Sequence, residues 1–201
     1  MGTRKKSKKD LVVQTGDPVL RAKAKPLTRK DIGSRALNAL IAKMKKTLKG
    51  EEFGVAIAAP QVGASVRLFV IAGRAFLPES PKEEGTGEKP KKETKTPPDM
   101  VFINPEILRT SKKKREMAEG CLSVRGTYGT VMRAEKASVR AQDEHGKLFT
   151  YHSSGLISHI FQHEYDHLDG ILYTDKAVKL EEEEKRDTLR KAYSPGDKQR
   201  R

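Results

Sequence analysis

Two imidazoles stand four residues apart in His163-Glu164-Tyr165-Asp166-His167, with a carboxylate directly after the first. Positions four apart share a helix face, so both rings can reach one metal ion. Glu164 then projects beside that ion, where it can take a proton from bound water. The neighbours Leu156, Ile157, Ile160 and Phe161 are apolar, so these charges lie on a buried element and need partners or a metal. A tetrahedral catalytic site requires a third protein ligand and an open position. Two sources compete for it: Cys121, in Glu119-Gly120-Cys121-Leu122-Ser123, and a carboxylate from the run Glu181–Glu184. A thiolate suits zinc or ferrous iron, and Gly120 marks a tight backbone path beside it. A third segment runs from Gly54 through Val55 and Ala56 to Gln61. Its small residues let another backbone approach closely, and its terminal amide can polarise a carbonyl oxygen.

These groups need a scaffold to hold them. Ser153 and Ser154 are placed to cap a helix that runs to about Leu168, with Gly170 ending it. Ala137–Asp143 and Lys147–His152 flank Glu144-His145-Gly146 as a hairpin. Arg67–Ala72 reads as a buried strand, and Val101–Asn104 resumes the sheet before Pro105. From Asp31 to Lys49 the apolar residues Ile32, Leu37, Leu40, Ile41, Met44 and Leu48 fall on one helical face, closed by Gly50. Residues 1–10 read as a disordered basic arm, Leu11–Leu27 as an extended lead-in, and Pro78–Pro98 as a flexible charged insert with almost no apolar residue. A last helix is expected over Lys176–Tyr193, acidic first and basic later as the helix dipole favours, ahead of a basic tail.

At 201 residues the chain fits one catalytic domain, and its charged fraction of 34% assigns part of the length to solvated loops and tails. No apolar run approaches the roughly 20 residues of a membrane span, and the basic N-terminus lacks the apolar core of a secretory signal. The single cysteine rules out an intrachain disulfide and suits a reducing compartment. A formal charge of +14 favours an anionic neighbour such as a ribosome surface. Without a motif of stacked aromatics, sequence-specific nucleic-acid recognition is not expected.

Together, the three chemistry-bearing segments resemble the peptide deformylase family, whose motifs are a Gly-rich AAPQ segment, EGCLS and QHExDHLxG. They stand here as Gly54–Gln61, Glu119–Ser123 and Gln162–Gly170, in the family's order. Gly16–Arg21 is similar to the family's opening segment, and Arg133–Lys136 to its linker into the hairpin. The resemblance covers residues 11–178. It implies an α+β fold, with mixed or antiparallel sheets around a central helix that carries the histidines. It makes Cys121, His163 and His167 ligands of one divalent ion, with Fe(II) favoured and zinc, nickel or cobalt accepted. Glu164 is then general base and acid, and Gln61 with the Leu122 N–H forms the oxyanion site. Water on the metal attacks the formyl carbon of an N-formylmethionyl nascent peptide, and formate is released in the cytoplasm. Gly54, Val55, Ala56, Glu119, Leu156, His159 and Ile160 are expected about the substrate.

There are departures from the family pattern. Ala56 stands where the family has Gly, and its methyl either crowds the substrate chain or points away. Arg125 stands where many members have Pro, and is expected to meet substrate residues beyond methionine. His159 reads as a rim residue of the methionine pocket rather than a fourth ligand. Arg133 is expected to orient Glu119 or Asp166.

Overall fold

The computed structural model describes residues 11–77 and 95–182. Five antiparallel strands form the larger sheet: β1 (Ala56–Ala58), β2 (Leu68–Ile71), β3 (Met100–Thr110), β6 (Lys136–Gln142) and β7 (Leu148–Ser154), in the order β1-β2-β3-β6-β7. A second antiparallel sheet has the order β4-β5-β8, from β4 (Lys114–Cys121), β5 (Val124–Ala134) and β8 (Ala177–Glu182). The helices α1 (Arg35–Lys49) and α2 (Gly155–Leu168) complete the α+β fold.

The continuous apolar run of β2 follows from burial on both faces. Leu68 and Val70 join Leu37, Ile41, Met44 and Leu48 of α1, while Phe69 and Ile71 join Ile160, Phe161 and Leu168 of α2. Successive strand residues point to opposite faces, so a strand packed on both sides loses its polar alternation. On the α2 side, Phe69 stacks on Phe102 at 4.7 Å, and Phe161 meets Phe102 edge-on at 5.3 Å. The predicted hairpin is β6–β7; Asp143 Oδ1 accepts from the backbone N–H groups of His145 and Lys147, both at 2.9 Å.

Several boundaries differ from the sequence reading, each for a local reason. The first helix begins at Arg35 rather than Asp31, because Asp31 turns back to accept from Thr28 and Ser34 caps the helix through Leu37 N–H. β3 does not stop before Pro105. It bulges between Ile103 and Glu106, where Asn104 takes φ 48° and its amide bonds Leu27 N and O, both at 2.8 Å. Neither serine caps α2 through its side chain: Ser154 makes no capping bond, and Ser153 Oγ donates to Ala137 O.

The C-terminal helix is corrected where it can be seen. Ala177–Glu182 is a strand on the edge of β5, registered Gly129↔Leu180 and Tyr128↔Glu181. An available sheet edge outweighs the helix propensity of a short acidic run. Residues 183–193 of the expected helix lie outside the described residues, as do the arm 1–10 and positions 78–94 of the insert. Gly170 does end α2. It takes φ +74°, and a Cβ there would stand 2.4 Å from Arg21 O, so no other residue fits.

Candidate metal centre

Helical spacing puts His163 and His167 on one face of α2, their ring centroids 5.0 Å apart. Cys121 comes from the other sheet, at the end of β4, where Leu122 and Ser123 turn the chain into β5 and Cys121 pairs with Val124. Gly120 is required beside it, since a Cβ would lie 2.7 Å from the Tyr128 ring on the facing strand. The lead-in ties the two site loops together: Val13 N–H donates to Gln61 O and Thr15 N–H to Ser123 O, both at 2.8 Å.

One donor atom from each of Cys121, His163 and His167 lies within 4.8 Å of the others, and Cys121 Sγ is 3.2 Å from His167 Nε2. Among the described residues this is the only such group, and it fits one divalent ion: metal–sulfur and metal–nitrogen bonds of about 2.0–2.3 Å bridge such separations. The acidic alternative fails for the carboxylates that are described. Glu181 and Glu182 lie in β8, with Glu181 paired to Lys179 and neither carboxylate in the donor group. Burial raises the Cys121 thiol, but the charge on His167 and hydrogen bonding from His163 outweigh it and bring it down to about 5. Thiolate is the form that binds metal.

Glu119 is the hub behind the ligands. Its Oε2 accepts from His163 Nδ1 at 2.7 Å, leaving Nε2 of that ring for the metal, and its Oε1 accepts from His159 Nε2 at 2.6 Å. Arg133 grips both oxygens at 2.7 and 3.1 Å and reaches Asp166 Oδ2 at 2.6 Å; Lys176 also holds Asp166. The expectation for Arg133 thus holds for both carboxylates at once. Burial would raise the Glu119 carboxyl, yet His159, His163 and Arg133 together hold it well below the usual range. A carboxylate behind a ligating imidazole fixes its tautomer and ring plane.

Gln61 is 2% exposed and oriented from both ends. Its Oε1 accepts from Ala58 N–H at 2.8 Å, and Nε2 lies 3.3 Å from both Cys121 Sγ and Ser123 Oγ. Glu164 is 4% exposed; burial pushes it up to about 7, against the lowering pull of His163 and His167. Its Oε2, like His167 Nδ1, is buried without a hydrogen-bond partner.

A cavity of about 740 Å³ opens on this centre, lined by Gly54, Val55, Ala56, Gln61, Glu119, Cys121, Leu122, Leu156, His159, Ile160, His163 and Glu164. It therefore gathers every expected site residue except the deeper ligand His167. His159 is not a rim residue: it is 7% exposed and bonded to Glu119. The Ala56 methyl belongs to the apolar cluster on the α2 side of the sheet. Arg125 lines the mouth and is paired with Glu51 at 3.0 Å. Tyr173, which stacks on His163 at 6.2 Å and donates to Thr127 O, carried no sequence signal, because nothing marks its position as close to the histidines.

A half-buried thiolate and two imidazoles on an α+β scaffold, with a carboxylate and an amide in the same cavity, define a metallohydrolase centre. The polypeptide deformylase model matches residues 9–183, and the chain belongs to the peptide deformylase family. It is 42% identical over 168 residues to a peptide deformylase of Halothermothrix orenii, covering 84% of this chain and 93% of that one. It is 39% identical to peptide deformylase 1A, chloroplastic/mitochondrial, of Arabidopsis thaliana, over 87% of this chain and 64% of the plant protein. Among solved structures, it superposes at TM-score 0.69 on the Met-Ala-Ser complex of a class I type b peptide deformylase from Acinetobacter baumannii. That match is 33% identical and covers 82% of this chain and 97% of that one. The enzyme of Thermotoga maritima superposes at 0.66, with 32% identity over 84% and 97%.

Proposed function

We propose that this enzyme removes the formyl group from N-formylmethionyl peptides, with Glu164 carrying the proton and Gln61 and the Leu122 N–H stabilising the developing oxyanion. The observation that carries the roles is Glu164 itself: a buried carboxylate in the cavity wall, one residue after a ligand, with one oxygen unpartnered by protein and its affinity for a proton raised to about 7. A divalent ion held by Cys121, His163 and His167 supplies Lewis acidity, which brings the pKa of water to about 7; we take Fe(II) as the native ion, since a soft thiolate with two imidazoles accepts it.

The protein's own groups do the rest. Glu164 accepts the proton of the attacking water and passes it to the leaving amine, a task suited to a group titrating near neutrality. Gln61 is pre-aimed, because Ala58 N–H fixes its carbonyl end and turns its N–H₂ toward the thiolate side. One donor to an oxyanion contributes roughly 3–4 kcal/mol. Substrate backbone adds along β1, the outer strand of its sheet, where Gly54, Val55 and Ala56 line the cavity. The Met-Ala-Ser held by the Acinetobacter baumannii relative is the product such a reaction leaves. The net positive charge of the chain, +14, favours a ribosome as the setting. We place the enzyme in the cytoplasm, where a lone thiol stays reduced; no helix among the described residues is long and apolar enough to cross a membrane. The two organelles named for the Arabidopsis relative, chloroplast and mitochondrion, are the rival compartments that a localisation experiment decides.

Formate release from formyl-Met-Ala-Ser by protein purified without oxygen tests the activity. Glu164→Gln tests the role: it should keep one metal per chain and lose at least a hundredfold in kcat, the lower range for a general base. Near-normal turnover in that variant would remove Glu164 from the mechanism.

A further inference from the structure

Arg74 is a charged side chain for which the reaction has no task. It stands in the short helical turn Gly73–Phe76, directly after β2. Its guanidinium turns onto backbone: one nitrogen, Nη2, donates to Leu48 O at 3.2 Å, to Glu51 O at 2.7 Å and to Gly54 O. The base of the side chain is fixed, since Gly73 N–H donates to Asp99 Oδ1 at 2.9 Å and a Cβ on Gly73 would collide with Pro97 O. The three carbonyls belong to a segment that needs an anchor. Leu48 is in the last turn of α1, where carbonyls run out of helical partners and the dipole favours a cation. Gly50–Gly54 then carries the chain to β1 and lines the cavity, which Arg74 itself does not. β1 pairs with β2 through Ala56↔Ile71, and Ala72 N–H still reaches Val55 O at 2.9 Å. Beyond that point β2 has turned away, and Arg74 supplies Gly54 O with the bond that a longer strand would have made. Gly54 is wedged as well: a Cβ there would stand 3.1 Å from the side chain of Glu51, 3.2 Å from Leu48 and 3.3 Å from Leu122.

We infer that Arg74 is a positioning residue for the substrate backbone. By pinning Leu48, Glu51 and Gly54, it extends the order of β1 into the preceding loop and presents an edge already shaped for a peptide to pair with. The inference rests on the deformylase reading above, in which substrate backbone adds along β1. Without the pin, a loop of two glycines, two acids and Phe53 samples many conformations, and these must be frozen out when a peptide binds. A preformed edge removes that cost. The edge pairs with the peptide backbone in the bound substrate and in the transition state alike, so the effect falls on KM rather than on kcat.

The experiment measures kcat, KM, metal content and thermal midpoint for cleavage of formyl-Met-Ala-Ser by wild type, Arg74→Met and Arg74→Lys. Arg74→Met should raise KM about tenfold, the lower end for hydrogen bonds from a charged group, while kcat stays within about threefold and metal content holds. Arg74→Lys keeps the charge on a shorter stem without the fork, so it should recover part of that loss. A lower thermal midpoint with KM unchanged in Arg74→Met would make the residue purely structural and overturn the inference. So would a fall in kcat and metal content at unchanged KM, which would put its effect on the metal centre. Hydrogen exchange on the free wild type needs no variant to fold: Gly54 N–H, which donates to Glu51 O inside the pinned loop, should be protected. Exchange there as fast as in an unfolded chain would show that the loop is not held, and would equally overturn the inference. Absence of formate from the wild type, with Gly54 protected, would instead overturn the activity on which the inference rests.

Discussion

Replacing Arg133 with Leu should be among the costliest single changes outside the ligands. Arg133, Glu119 and Asp166 are 4%, 3% and 8% exposed, and one guanidinium spans both carboxylates. Removing it strands two buried charges unequally. Asp166 keeps Lys176, at 2.6 and 2.7 Å, whereas Glu119 keeps only its two histidine donors. Breaking a buried pair by deleting one partner costs about 3–5 kcal/mol, and most of that should fall on Glu119. Arg133→Lys keeps the charge but cannot span both groups in a fork, so about half the loss is expected. Urea unfolding at fixed saturating metal gives the values, because bound metal adds its own stabilisation. If stranded charge is the cause, adding Glu119→Gln to Arg133→Leu should recover 1 kcal/mol or more, roughly the cost of an unpaired buried polar group. A loss below about 1 kcal/mol in the single variant, or a double variant no better than the single, would refute the argument.

Gly120→Ala should lower the metal content and cost about 1–3 kcal/mol, since its Cβ would meet the Tyr128 ring at 2.7 Å next to Cys121; wild-type metal stoichiometry and thermal midpoint would count against it. Ala56→Gly should destabilise by about 1–2 kcal/mol, from one lost core methyl and a looser backbone, without raising kcat/KM, because that methyl packs toward α2. A clear rise in kcat/KM would restore the view that it crowds the substrate. In metal-stripped protein, iodoacetamide should alkylate Cys121 at a rate that holds down to about pH 5 and drops below it, because the thiol is depressed to about 5; a profile still rising above pH 8 would show an ordinary thiol.

The ligand set was legible because two of its members obey helical spacing and the third sits beside a glycine in a recognisable pentapeptide. Strand β2 was legible because burial on both faces leaves an unbroken apolar run. Strand β4 was not, because Lys114, Arg115, Glu116 and Ala118 are all exposed and its register is dictated by β5 rather than by any pattern of its own. Residues 177–182 misled for the same reason: composition described the start of a helix, and a neighbouring strand edge claimed the backbone. Arg133 was visible only as a charge in need of partners, and its two-handed grip depends on α2 and β4 meeting. His159 was read as marginal because spacing gives a residue's face but not its depth.

The centre joins layers that share no strand. Cys121 belongs to the three-stranded sheet, while both histidines ride on the helix packed against the five-stranded one, and Cys121 and His167 are 46 positions apart. The imidazole pair exists as soon as the helix does, but the thiol arrives only when the second sheet docks, and closing so long a loop carries its entropy in advance. The ligand set is therefore complete only once the two sheets have met, so metal affinity reports on their docking.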